Sequence, residues 1–208
     1  IARQAGKQIC NFAASFATPG EGPEFQEWQP TVPAPDVLPP APDFDDQYAE
    51  VMSYVAGTNA IEFRFEEGIA ERDPSSPGRW QVWFRVKDEL PDDQAIHSAM
   101  VAYASDIFLL ETTLRPHSVG WLDDIDFATI DYSMWFHRPF RLAGWNLLSF
   151  GAAMARGGRA LSYGELFTHD RIALASMTQE GMTRFKPGRG EHLHRKVQEH
   201  SQRSAKSE

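Results

Sequence analysis

The chain has 208 residues, with 20 basic and 29 acidic side chains and a formal net charge of −9. A hydrophobic fraction of 42% and an aromatic fraction of 12% supply a sizeable core, which excludes wholesale disorder and the collagen-like and low-complexity classes. The acidic balance removes the electrostatic footprint of a nucleic-acid or anionic-membrane binder. The single cysteine, Cys10, excludes an intrachain disulfide framework and suits a reducing compartment, and no apolar run approaches the ~20 residues that span a bilayer.

Ala5-Gly6-Lys7 reads as a tight turn and Gln8 to Phe16 as a strand, so residues 1–16 are expected to be the closing strands of a preceding domain. Eight of the fourteen prolines then fall between Thr18 and Asp46, which predicts an extended linker over 17–48 with Phe25 and Trp28 as its anchors. A second domain is expected over 49–186. Its first strands are Ile61 to Glu66 and Arg79 to Lys87, where apolar and polar residues alternate with period two. Between them, Asp73-Pro74 and Pro77-Gly78 mark a loop.

Pro91-Asp92-Asp93 carries the chemistry of a helix N-terminus, and the helix is predicted to run to about Leu114, before Pro116. Ile96, Ala99, Met100, Tyr103, Ile107, Leu110 and Leu114 follow the spacing of a single buried face. Four long strands follow, Ile125 to His137, Trp145 to Met154, Arg159 to Thr168 and Ile172 to Phe185, with Gly157-Gly158 as a hairpin turn. Two strands, one long helix and four strands make an α+β pattern in which an antiparallel β-sheet wraps one central helix, the outline of the hotdog fold. The basic tail over 187–208 lacks apolar periodicity and is expected to be disordered; its His192, His194 and His200 are read as incidental, with no metal site.

Three polar residues sit in unusual places. Asp106 lies at the edge of the apolar helix stripe, either capping a neighbouring turn or tuned by its apolar surroundings for chemistry. Alternation puts Phe127, Thr129, Asp131, Ser133, Trp135 and His137 on one strand face, which is either solvated or functional. His137 and Asp131 are separated by about 20 Å of strand and do not pair. Gln179 shares a face with Met177 and Gly181, where it either makes a cross-strand hydrogen bond or orients a water or carbonyl. Nucleophile-elbow, phosphate-loop and dinucleotide motifs are absent.

The run Ala128-Thr129-Ile130-Asp131-Tyr132-Ser133-Met134-Trp135-Phe136-His137-Arg138-Pro139-Phe140 closely resembles a signature of acyl-CoA thioesterase II, the double-hotdog thioesterases. Leu90-Pro91-Asp92-Asp93, Tyr103-Ala104-Ser105-Asp106, Leu114-Arg115-Pro116-His117, Gly164-Glu165-Leu166-Phe167-Thr168 and Ala175-Ser176-Met177-Thr178-Gln179-Glu180-Gly181 agree with it in order and spacing. The resemblance covers about residues 1–186 and implies that most of the first hotdog is missing.

It also implies a function. In that family an Asp, a Thr and a Gln hold the water that attacks the thioester, and they fall here on Asp106, Thr129 and Gln179. The implied activity is hydrolysis of fatty acyl-CoA to free fatty acid and CoA, with no cofactor beyond the CoA of the substrate. Arg156 and Arg159 are the expected partners of the CoA end, and a homo-oligomer formed through hotdog packing is expected. The family's eukaryotic members are often peroxisomal, whereas this chain ends in Lys206-Ser207-Glu208, so the expected location is cytoplasmic or peroxisomal. The alternative is a catalytically incomplete hotdog fragment acting as an acyl-CoA-binding or assembly subunit. A hotdog dehydratase is disfavoured, because His97, the one helix histidine, stands near the helix start with no obvious acidic partner.

Overall fold

Strands that bury one face must close over something, and among the described residues that is one α-helix. The computed structural model describes residues 1–18, 20–26, 30–38, 60–65, 79–117 and 125–188. Strands β1 (Ala2–Gln4) and β2 (Lys7–Cys10) form a small hairpin across Ala5-Gly6, both in the left-handed region (φ 48° and 78°), and all of its residues are exposed. The strand expected to reach Phe16 stops at Cys10, and Phe12 and Phe16 lie in solvent. The main sheet contains β3 (Ile61–Phe65), β4 (Arg79–Val86), β5 (Ile125–Phe136), β6 (Asn146–Arg156), β7 (Arg159–Thr168) and β8 (Ala173–Phe185). Their order is β3-β4-β6-β7-β8-β5, every pair antiparallel.

Helix α1 (Gln94–Asp106) begins as expected: Asp93 caps it, its carboxylate accepting the Ala95 N–H at 2.9 Å. It ends eight residues before Leu114. Beyond Asp106 the chain tightens into 3₁₀ turns at Leu110–Thr113 and Arg115–His117. Thr112 and Thr113 donate their hydroxyls to the carbonyls of Leu109 and Leu110, both at 2.7 Å, and such local bonds compete with the α-helical ladder.

The buried face of α1 also differs from the expected stripe. His97, Val101, Ala104 and Ser105 are buried, while Ile96 and Tyr103 are exposed. Met100 and Ile107 of the expected stripe still pack against the core, partly buried, and Leu110 and Leu114 beyond the helix are buried, so the buried face is the expected one rotated towards Val101 and Ala104. Beneath this face Phe63, Phe65, Trp80, Phe84, Leu148 and Phe150 build the core.

The outer face of the sheet is covered at one end by the linker. Val32 and Leu38 pack on Trp83, Leu147 and Phe167, and the Trp83 indole donates to Pro33 O at 2.9 Å. Arg171 clamps the same segment: its guanidinium lies over the Trp83 ring and donates to Pro30 O and Val32 O, both at 3.1 Å. Gln26 mimics a strand partner, donating to Arg171 O and accepting from Ala173 N–H, both at 2.8 Å. Phe25, an expected anchor, is 87% exposed, and Trp28 lies outside the described residues, as does the tail beyond 188. The described part of the linker is therefore pinned by hydrogen bonds and small apolar contacts.

Candidate active site

Three elements that are distant in sequence deliver Asp106, Thr129 and Gln179 to one point. Asp106 is the last residue of α1. Gln179 stands mid-strand on β8, 1% exposed, on the face that also buries Met177 and Gly181. Its Nε2 donates to Asp106 Oδ1 at 2.6 Å and to Thr129 Oγ1 at 2.8 Å, and the Thr129 hydroxyl donates to the same Oδ1 at 3.3 Å. A carboxylate at a helix C-terminus meets the negative end of the dipole, so these donors offset an unfavourable placement. They also engage only one carboxylate oxygen. Oδ2 makes no hydrogen bond among the described residues and belongs to an exposed side chain, while Gln179 Oε1 is buried without a partner.

Strict alternation fails on β5. Thr129 pairs with Gly181 and Asp131 with Glu180, so Ile130 is an extra residue in a β-bulge. A bulge reverses the facing of everything beyond it. Thr129 therefore shares the core side with Tyr132 and Met134, and the face expected to join Thr129, Asp131, Ser133 and Trp135 does not exist as one face. Asp131 instead accepts from Ser133 on the outer side, at 3.5 Å.

Gly181 lets the 3₁₀ turn seat against β8 beside the site: a Cβ there would lie 2.0 Å from Leu110 Cδ2. A glycine inside a strand is a sequence signal for such a close approach. Gly181→Ala is expected to cost about 1–3 kcal/mol through overpacking and to disturb Thr129, its register partner; thermal unfolding measures the first and Thr129 side-chain geometry in a crystal structure the second. Ser105 and Tyr132 carry no sequence signal as site neighbours, because each reads as ordinary core.

Arg156 and Arg159 are not gathered with these three residues. Arg159 pairs with Met182, three positions from Gln179 on β8, so it lies on the opposite sheet face, and its guanidinium forms a 3.0 Å ion pair with Glu180. Arg156 is its register partner across the Gly157-Gly158 turn. Strand pleating separates the two arginines from the cluster, although Arg159 is close to it in strand register.

A separate cleft of about 510 Å³ lies between the linker at Pro23 to Gln26 and the outer sheet face, lined by His137, Arg138, Glu165 and Ser176 among others. His137 Nε2 and Ser176 Oγ are 2.8 Å apart. Burial, with Arg138 nearby, holds the His137 imidazole below its ordinary value of 6.5. Burial pushes the Glu165 carboxyl above 4.5, partly offset by Arg79. Their linkages to stability run in opposite directions. As pH falls below 6.5 the unfolded chain protonates its histidine before the folded one does, so His137 destabilises on acidification. As pH rises above 4.5 the unfolded chain releases the Glu165 proton first, so Glu165 destabilises up to its raised folded value. Glu165→Gln is accordingly expected to unfold at a higher temperature than the parent at pH 7 and at the same temperature near pH 4, as read by thermal scans. Among the described residues no group of three or more His, Cys, Asp or Glu side chains is placed to hold a metal ion.

A six-stranded antiparallel sheet wrapped on one helix is the hotdog architecture. Structural comparison agrees: a hotdog-fold protein of Alicyclobacillus acidocaldarius superposes with a TM-score of 0.60 over 80% of this chain and 58% of its own, at 15% identity, a likeness of fold alone. An acyl-CoA thioesterase II of Mycobacterium marinum superposes with a TM-score of 0.63 at 31% identity, over 82% of this chain and 61% of that one. In sequence, acyl-CoA thioesterase 2 of Haemophilus influenzae is 36% identical over 192 residues, 85% of this chain and 64% of that protein. Acyl-coenzyme A thioesterase 8 of Homo sapiens is 32% identical over 201 residues, 88% of this chain and 62% of that protein. The acyl-CoA thioesterase family model matches residues 57–182, which include Asp106, Thr129 and Gln179. The chain belongs to the acyl-CoA thioesterase family. It spans less than two thirds of the length of the curated relatives named here.

Proposed function

We propose that this chain is the catalytic, carboxy-terminal hotdog of an acyl-CoA thioesterase that hydrolyses fatty acyl-CoA to free fatty acid and CoA. The observation that carries the reading is the convergence of Asp106, Thr129 and Gln179 within hydrogen-bond distance of one another. Water attacks the thioester carbonyl carbon while Asp106 Oδ2 takes its proton. The tetrahedral intermediate then expels the CoA thiolate, which is protonated as it leaves. Gln179 and Thr129 hold the carboxylate through Oδ1 and align the water, so the reaction needs no covalent enzyme intermediate and no cofactor.

In this reading residues 1–16 close a first hotdog, 17–48 link the two, 49–186 form the catalytic hotdog and 187–208 are a tail. The partner surface is the edge strand β5, unpaired on its outer side among the described residues, with Ile130, Trp135 and Phe136 exposed along it. An open apolar edge of 12 residues favours association, and hotdog packing into an oligomer would supply it. The reading places the enzyme inside the cell, in the cytoplasm or peroxisome; no helix among the described residues is long and apolar enough to cross a membrane. The same open edge favours a second reading, an acyl-CoA-binding or assembly subunit incomplete as a catalyst.

The test is free-thiol release from a series of acyl-CoAs by the purified chain. Turnover by the chain alone, or turnover gained on adding the amino-terminal hotdog of a relative, supports the enzyme. Silence in both settings supports the subunit.

A further inference from the structure

We propose that Tyr132 and Ser105 form a part-buried brace that sets the geometry of Asp106, Thr129 and Gln179, acting as positioning residues for the hydrolysis proposed above, on which the inference rests. Ser105 is fully buried on the last turn of α1, one residue before Asp106. Tyr132 is two residues past the bulge at Ile130 and is the register partner of Gln179, so its ring flanks the glutamine on the same sheet face. One hydrogen bond, Tyr132 to Ser105, thus ties together the helical turn that carries Asp106 and the bulge that carries Thr129.

The polarity of the brace follows from its partners. Ser105 Oγ lies 2.6 Å from Val101 O, which only accepts, so the single serine proton is given there. The Tyr132 hydroxyl, 2.5 Å from Ser105 Oγ, is then the donor in their bond. Met177 Sδ, 3.6 Å from the phenol oxygen, packs against it on the side of β8. Burial raises the Tyr132 hydroxyl above its ordinary range, the Ser105 hydrogen bond offsets part of this and the nearby Asp106 carboxylate adds to it, so the phenol remains a neutral donor.

The distances divide the work. The brace is short and part-buried, while the Thr129 to Asp106 contact is 3.3 Å and exposed. A long exposed contact is soft, so the separation of α1 from β5 is set by the brace. Gln179 Nε2 can reach Asp106 and Thr129 together only while that separation holds. A displacement of the order of 1 Å in such an arrangement costs up to about 10²-fold in rate.

Tyr132→Phe keeps the ring and removes the donor; Ser105→Ala removes the acceptor from the other side. Each is expected to lower kcat about 10- to 100-fold with KM and melting temperature nearly unchanged. The double variant should be no worse than either single one, and Tyr132→Phe should add nothing in an Asp106→Asn background. A second readout is independent of turnover: the Gln179 side-chain amide resonances, assigned by their loss in Gln179→Glu, should move in Tyr132→Phe and Ser105→Ala. Unmoved amide resonances, or equal losses with and without Asp106, overturn the brace. If the amide moves but the parent has no thioesterase activity in either setting of the thiol assay, the brace stands and the thioesterase reading falls. If either variant fails to fold, the other carries the same two readouts.

Discussion

Asp106→Asn is expected to lower acyl-CoA turnover by about 10²–10⁴-fold while leaving the fold intact. Asn retains the oxygen that accepts from Gln179 and Thr129, so the contacts at Oδ1 survive and the melting temperature should barely change. What it loses is the capacity of the second position to take a proton from water. In free-energy terms the loss is about 3–5 kcal/mol of transition-state stabilisation. Since the defect lies in the chemical step, kcat should fall and KM stay near its parent value, as measured by thiol release against substrate concentration. An Asn variant that keeps its turnover would remove Asp106 from the mechanism.

The second large effect is on stability. Phe108 is fully buried two residues beyond Asp106, and its ring meets Phe63 and Trp80 at 5.1 Å and Phe65 at 5.5 Å, each edge to face. Such pairs gain beyond the area they bury. Phe108→Ala would forfeit them and leave a cavity among side chains from two strands that a helix end cannot collapse to fill. The expected cost is about 3–5 kcal/mol, a large share of the roughly 5–15 kcal/mol available to a domain. A fall of about 10 °C in the melting temperature is expected. Because α1 is anchored here at the end that carries Asp106, activity should also be lost at temperatures the parent survives. Phe108→Leu, which keeps most of the volume, should recover much of both. Equal melting temperatures for Phe108→Ala and the parent would mean that the aromatic cluster does not anchor the helix.

Different parts of the site were legible to different degrees. Asp106, Thr129 and Gln179 stood out as polar residues beside apolar ones, and the family resemblance assigned them one task. Nothing in their spacing said that they meet, since 106, 129 and 179 are brought together by the return of β8 alongside β5. The brace was not legible at all. A serine in a helix and a tyrosine in a strand are common, and their pairing depends on a bulge that alternation counts cannot place. Arg156 and Arg159, plausible from their position beside a turn, lie on the opposite face from the cluster because of strand pleating, which only the register of β7 on β8 places.

Local chemistry wrote much of the architecture into the chain. Period-two alternation marked β3 and β4, the four later strands fall within two residues of their expected bounds, Asp93 marked the helix start, and Gly157-Gly158, both at positive φ, marked the β6–β7 turn. These features depend on backbone conformation and on which side chains tolerate it, and both are properties of short segments. Packing decided the rest. The face that α1 buries, the bulge at Ile130 and the pinning of the linker by Arg171 all depend on how surfaces distant in sequence approach one another. Close approach is selected by small residues and by distant hydrogen-bond partners, and neither leaves a periodic trace in the sequence.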